Sequence, residues 1–116
     1  MLFDFNRRIV KDIVIENVNF FQVAEKESME FQRRLDKDLK GDYRKFIINL
    51  SACELISPAF IGTIVVLLKR LKEIDGEMKI VIPKEPAKSD FHKTGADKLF
   101  NLYRTTEEAL ESFKLD

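Results

Sequence analysis

Tryptophan is absent from this 116-residue chain, cysteine and histidine occur once each, and prolines and glycines number only three and four. A lone cysteine, Cys53, excludes an internal disulfide and fits a reducing compartment. A lone histidine, His92, has no cysteine or second histidine at ligand spacing, so no metal site is indicated. With so few glycines there is no GxGxxG sequence and no P-loop to cradle a phosphate. An excess of one charge is missing too: 20 basic residues cancel 20 acidic ones, which argues against a broad nucleic-acid footprint. The longest apolar run, Phe60 to Leu68, falls well short of the roughly twenty residues that span a bilayer. The opening MLFDFNRR has no apolar h-region and carries Asp4 early, unlike a signal peptide. These absences lead to the expectation of one cytoplasmic domain over 1–116, without membrane insertion or a required cofactor.

What is present is organised around Lys45 to Ile82. Phe46, Ile47 and Ile48 at one end, and Met78, Ile80, Val81 and Ile82 at the other, suit strands buried on both faces. Between them, Ile61, Ile64, Val65, Leu68 and Leu71 mark one face of a helix from Pro58 to Ile74. Strand, helix and strand in this compass form a βαβ unit with parallel, adjacent strands at 46–50 and 78–82. Ser57 before Pro58 reads as an N-cap hydroxyl with proline at the first helical position. Gly76 is the residue placed to adopt the left-handed conformation that closes the helix.

Elsewhere the signals are shorter. Leu2, Phe3 and Phe5 suggest a first strand and Ile13 to Ile15 a second. The intervening turn has neither glycine nor proline, which leaves one bent strand as the other reading. Asn17 to Gln22 reads as a loop. Ala24, Phe31, Leu35 and Leu39 line a helix from Val23 to Leu39, where Glu30 and Arg34 are placed to pair. Pro83 and Pro86 bracket a loop, followed by a short helix from Ala87 to Thr94 that Gly95 ends. Leu99 to Tyr103 predicts a strand, and Thr105 with Glu108 a capping box for a last helix through Phe113.

The order of ISPAFIG, a long apolar helix, DGEMKIVI and KTGADKLFNLYRTTEEALESF resembles the STAS domain family, specifically the bacterial anti-sigma factor antagonists. Ile56, Ile61 and Gly62 match that family's strand-to-helix junction. Gly95, Leu99, Phe100, Thr105, Glu107, Glu108, Ala109 and Leu110 match downstream. The resemblance implies a single α/β STAS-like domain, a mixed four- to five-stranded sheet packed with about four helices. It further implies a non-enzymatic regulator that sequesters an anti-sigma factor or related serine kinase and so controls sigma-dependent transcription. The other role it allows is a STAS subunit of a lipid-transport ABC complex or a signalling scaffold. In the family the junction carries Asp-Ser, a small residue and Gly, and a kinase phosphorylates that serine. Here Ser57, Pro58, Ala59 and Phe60 occupy those four places, so the phosphoacceptor position is a proline.

The residues themselves suggest a partner surface made by Ser57, Pro58, Ala59, Phe60, Thr63 and Val66. Phe60 is expected to be an exposed aromatic anchor beside Ser57, whereas Leu67 is expected in the core. Ser57 is the remaining candidate for phosphorylation, although capping alone accounts for it. Cys53 and His92 as a nucleophile and base find little support, because a lone cysteine beside a buried strand usually serves as a small core residue.

Overall fold

The computed structural model describes residues 4–114, so Leu2 and Phe3 lie outside the described residues. Strands β1 (Asp4–Val10) and β2 (Ile13–Asn19) form an antiparallel hairpin, with Val10 opposite Ile13. Two strands, not one bent strand, are therefore present. The turn gave no signal because Lys11, a non-glycine residue, adopts φ 56° there, a conformation that disfavours any L side chain. The loop expected over Asn17 to Gln22 is shorter than its sequence suggests: β2 continues to Asn19, and Gln22–Val23 form the short strand β3.

Helix α1 (Glu25–Leu39) follows, with the Ala24 N–H bonded to Glu27 Oε1 at 2.8 Å. Then come β4 (Lys45–Asn49), β5 (Leu55–Ile56), α2 (Pro58–Glu73) and β6 (Glu77–Val81). Helix α3 (Glu85–Lys93), a 3-10 turn at Ala96–Lys98, β7 (Leu102–Tyr103) and α4 (Thr106–Lys114) complete the described chain. Pro86 belongs to the first turn of α3, where a missing N–H is harmless, and not to a loop. Leu99 and Phe100 precede β7 instead of forming it.

The main sheet has the order β1-β2-β4-β6-β7, with only the β1–β2 pair antiparallel. Strands β4 and β6 are parallel neighbours in the register Phe46↔Met78 and Ile48↔Ile80, as the central βαβ unit predicts. A separate ribbon pairs β3 with β5 in parallel. The architecture is thus a mixed five-stranded sheet with four α-helices among the described residues.

Alternation along the strands divides the core. Val14, Val18, Phe46, Ile48, Met78 and Ile80 face α1, α2 and α3, while Ile13, Ile15, Ile47 and Val81 face Ala109 and Phe113 of α4. Lys79 shares that second face and is only 3% exposed; its Nζ donates to Ser112 Oγ at 2.7 Å and lies 4.0 Å from the Phe113 ring centre. On the first face Arg34 of α1 reaches across to Glu16 of β2 at 2.6 Å, instead of back along its own helix to Glu30.

The end of α2 corrects one expectation. Asp75, not Gly76, takes the left-handed φ of 60°. The Gly76 N–H reaches Leu71 O at 2.7 Å and the Asp75 N–H reaches Lys72 O at 3.3 Å, closing the last turn. Gly76 is required for close approach instead: a Cβ there would lie 2.5 Å from Leu71 Cδ2 and 2.8 Å from Arg44 O.

Candidate functional site at the start of α2

The first turn of α2 lies beyond the C-terminal end of β4, the edge where open α/β sheets place their sites. The chain reaching it is held residue by residue. The N–H groups of Glu54 and Leu55 donate to Phe21 O at 2.9 and 3.1 Å, and that of Ser57 to Val23 O at 2.8 Å. Between them the Ile56 N–H donates to Asp90 Oδ2 of α3 at 2.9 Å. Four successive backbone donors are thus fixed by two other segments, residues 21–23 and α3, so Ser57 enters the helix from a rigid approach.

Ser57 has φ −70° and ψ 152°, and its hydroxyl accepts the Phe60 N–H at 3.2 Å. Pro58 follows at the first helical position. The cap inferred from Ser-Pro is present, and the serine hydroxyl is engaged with the backbone.

Phe60 is not an exposed anchor. It is fully buried, its ring centre 5.0 Å from that of Phe31 at a tilt of 45°, in a chain of rings that continues to Phe5 and Phe20. The reason lies in the helix face: Phe60, Ile61, Ile64, Leu67, Leu68 and Leu71 all point inward. The stripe read from the sequence extends one position further towards α1, taking in Phe60 and Leu67. The opposite face presents Pro58, Ala59, Gly62 and Val66, all exposed, with Thr63 half-buried between them. Thr63 Oγ1 donates to Ala59 O at 3.1 Å and lies 2.5 Å from Ser28 Oγ of α1, which ties the two helices together.

Of the expected partner residues, the structure brings Ser57, Pro58, Ala59, Thr63 and Val66 to one accessible end of α2 and removes Phe60. Large exposed apolar side chains that were missed are Phe21 (51% exposed) and Leu55 (47%), on the segments leading into α2, and Met29 (69%) on α1. The aromatic pair Phe20-Phe21 hinted at the first; nothing local marked the others, because exposure there depends on how the β3–β5 ribbon and α1 pack. Cys53 is buried, and desolvation pushes its thiol up to about 12, so it is no nucleophile at neutral pH. His92 Nδ1 sits 2.9 Å from Asp97 Oδ2.

The family profile of the STAS domain matches residues 8–109. This chain belongs to the STAS domain family. A Thermotoga neapolitana STAS relative, provisionally named an anti-sigma factor antagonist, is 31% identical over 107 residues, covering 92% of this chain and 95% of that one. The crystal structure of a Thermotoga maritima protein with the same provisional name superposes with a TM-score of 0.86 at 28% identity, over 93% of this chain and 92% of that one. The unphosphorylated Bacillus anti-sigma factor antagonist SpoIIAA gives 0.82 over 97% of this chain and 98% of its own, at 15% identity, a likeness of fold alone. Among the described residues of this STAS domain no helix is long and apolar enough to cross a membrane.

Proposed function

We propose that this STAS domain is an anti-sigma factor antagonist: it captures an anti-sigma factor, a protein of the serine-kinase type, and so frees a sigma factor for transcription. It works by surface complementarity and carries out no chemistry of its own. The names of the two Thermotoga relatives support the role. The outer face of α2, with Pro58, Ala59, Thr63 and Val66, and the exposed Phe21, Leu55 and Met29 support the mode, since accessible apolar side chains suit a protein contact.

The observation that carries the finer reading is the pairing of Ser57 at the cap with Pro58 behind it. SpoIIAA has a phosphorylated form, and its family modifies a serine at the place that Pro58 takes here. Proline has no hydroxyl, and the Ser57 hydroxyl caps the helix at 3.2 Å. Binding in this protein therefore proceeds without a phosphorylation switch at the helix start. The test is reconstitution: a purified anti-sigma factor encoded beside this gene is mixed with the chain, and the complex is followed by calorimetry with and without ATP. A complex that survives ATP, with no phosphosite found by mass spectrometry, supports the reading. Stoichiometric phosphate on Ser57 with loss of the complex overturns the switchless part, and absence of any complex overturns the antagonist role.

A further inference from the structure

Gly62 sits in the middle of α2, where glycine weakens a helix relative to alanine. Nothing in the fold demands it. A Cβ built there meets nothing within 4 Å, and no positive φ is involved. Its missing side chain leaves a notch in an exposed helix face. That notch belongs to a groove of about 350 Å³ lined by Gln32 of α1 and by Ala59, Gly62, Thr63, Val66 and Leu67 of α2.

Helices α1 and α2 run side by side in the same direction, since Ser28 meets Thr63 at one end and Asp36 meets Arg70 at the other. Gln32 also lines a second depression of about 490 Å³ with Met29, Arg33, Asp36, Lys37 and Lys40. The second depression is formed by α1 alone and adjoins the first at Gln32. The first hollow is lined mainly by Ala59, Gly62, Val66 and Leu67, with Gln32 and Thr63 as its polar members; Val66 there is 52% exposed, and Met29 in the second is 69% exposed. The second hollow is largely basic. Asp36 is neutralised by Arg70, which leaves Arg33, Lys37 and Lys40, with Lys69 exposed nearby on α2, facing solvent. The whole chain is neutral, so this basic end is a local feature.

We infer that the α1–α2 groove receives an amphipathic helix of the partner whose apolar stripe is flanked by Asp or Glu. Gly62 and Ala59 admit the incoming backbone closely, Met29 and Val66 cover its apolar stripe, and Arg33, Lys37 and Lys40 pair with its acidic flank. A nucleic-acid backbone would find little charge at the apolar end, and a lipid surface would not need the notch. The identity of that partner rests on the proposed antagonist role.

Two synthetic helical peptides with the same leucine stripe, one flanked by glutamates and one by lysines, serve as probes against the isotope-labelled chain. The glutamate peptide should shift the amide NMR signals of Met29, Gln32, Gly62 and Val66, and the lysine peptide should not. Gly62→Gln should abolish those shifts while raising the melting temperature, which excludes unfolding as the cause. Arg33→Glu combined with Lys37→Glu should transfer the response to the lysine peptide. Equal response to both peptides, shifts outside the groove, or shifts produced only by anionic lipid vesicles or by a DNA duplex would overturn the inference. Against the anti-sigma factor itself, Gly62→Gln should weaken binding by about tenfold or more. Unchanged affinity there overturns the groove and leaves the antagonist role standing. Peptide binding in the groove without any anti-sigma complex supports the groove and removes that role.

Discussion

Arg34 and Glu16 form an ion pair with one end in the core: Arg34 Nε donates to Glu16 Oε1 at 2.6 Å, and Glu16 is fully buried on β2. Beside it Arg7 bonds Asp38 Oδ1, and Asp38 is also buried. Neither Glu16 Oε2 nor Asp38 Oδ2 has a hydrogen-bond partner among the described residues. A charge taken out of water must be repaid by its partners, and here each carboxylate is served on one oxygen only. Burial therefore pushes the Glu16 carboxyl above its ordinary 4.5, with Arg34 pulling it back and Asp38 adding to the rise.

The sign of the pH effect follows. Between the ordinary value and the raised one, folded Glu16 holds a proton that the unfolded chain has released, so stability falls as pH rises through that window. Glu16→Gln keeps an acceptor for Arg34 and cannot ionise. Its stability relative to the parent should be within about 1 kcal/mol at acid pH and should improve as pH rises through the window. Glu16→Ala, which leaves Arg34 without its acceptor, should lose at least about 2 kcal/mol. Urea unfolding of the three proteins across pH decides it, and a parallel pH dependence for the parent and the Gln variant would refute the assignment.

Phe60→Ala should cost about 3–5 kcal/mol, because it empties a fully buried site against Phe31. Affinity for the partner, counted per folded molecule, should hardly change. Denaturation together with calorimetry separates the two effects.

How much of this was legible follows from the length of each signal. The βαβ unit could be read because strands covered on both faces, as Phe46 to Ile48 are, leave an unbroken apolar run, and Ser57-Pro58 is a local cap. The β3–β5 ribbon was not, since two residues per strand show no periodicity. Phe60 was misplaced because α2 is apolar on almost every side for three turns, so spacing cannot tell the inner face from the outer. At the helix end, glycine suggested left-handed backbone at Gly76, whereas packing of Leu71 and Arg44 is what excludes a side chain there. The partners of Arg34 and Asp90 lie 18 and 34 residues away in sequence, and tertiary placement alone reveals them.

Lys11 occupies a left-handed turn position without the side chain that suits it. Lys11→Gly should therefore stabilise the hairpin by roughly 0.5–1 kcal/mol, and Lys11→Asn by less. Thermal melting checks this, and a loss of stability would mean that the lysine side chain has a compensating contact.

Ser57→Ala removes the acceptor for the Phe60 N–H and should cost about 0.5–2 kcal/mol. Ser57→Asp should be nearly neutral, because aspartate caps as well and a helix N-terminus favours an anion. If the alanine variant melts with the parent, the cap contributes nothing and the hydroxyl is free for another role.

Asp90 on α3 links a distant helix to the site, since its Oδ2 holds the Ile56 N–H at 2.9 Å one residue before the Ser57 cap. The other three donors of residues 54–57 go to backbone carbonyls of residues 21 and 23, so among the described residues Asp90 is the one side chain that holds a backbone donor of this approach. Asp90→Asn retains an acceptor oxygen and should behave like the parent within about 0.5 kcal/mol. Asp90→Ala leaves the Ile56 N–H without its partner, which should cost about 1–2 kcal/mol and let β5 separate from its frame more often. Hydrogen exchange reads this directly: the Ile56 amide should exchange faster in the alanine variant, while amides of β4 and β6 keep their protection. Partner affinity should fall with it, because the first turn of α2 is then presented from a looser support. Faster exchange throughout the sheet would show global destabilisation instead, and unchanged exchange at Ile56 would show that Asp90 holds nothing there.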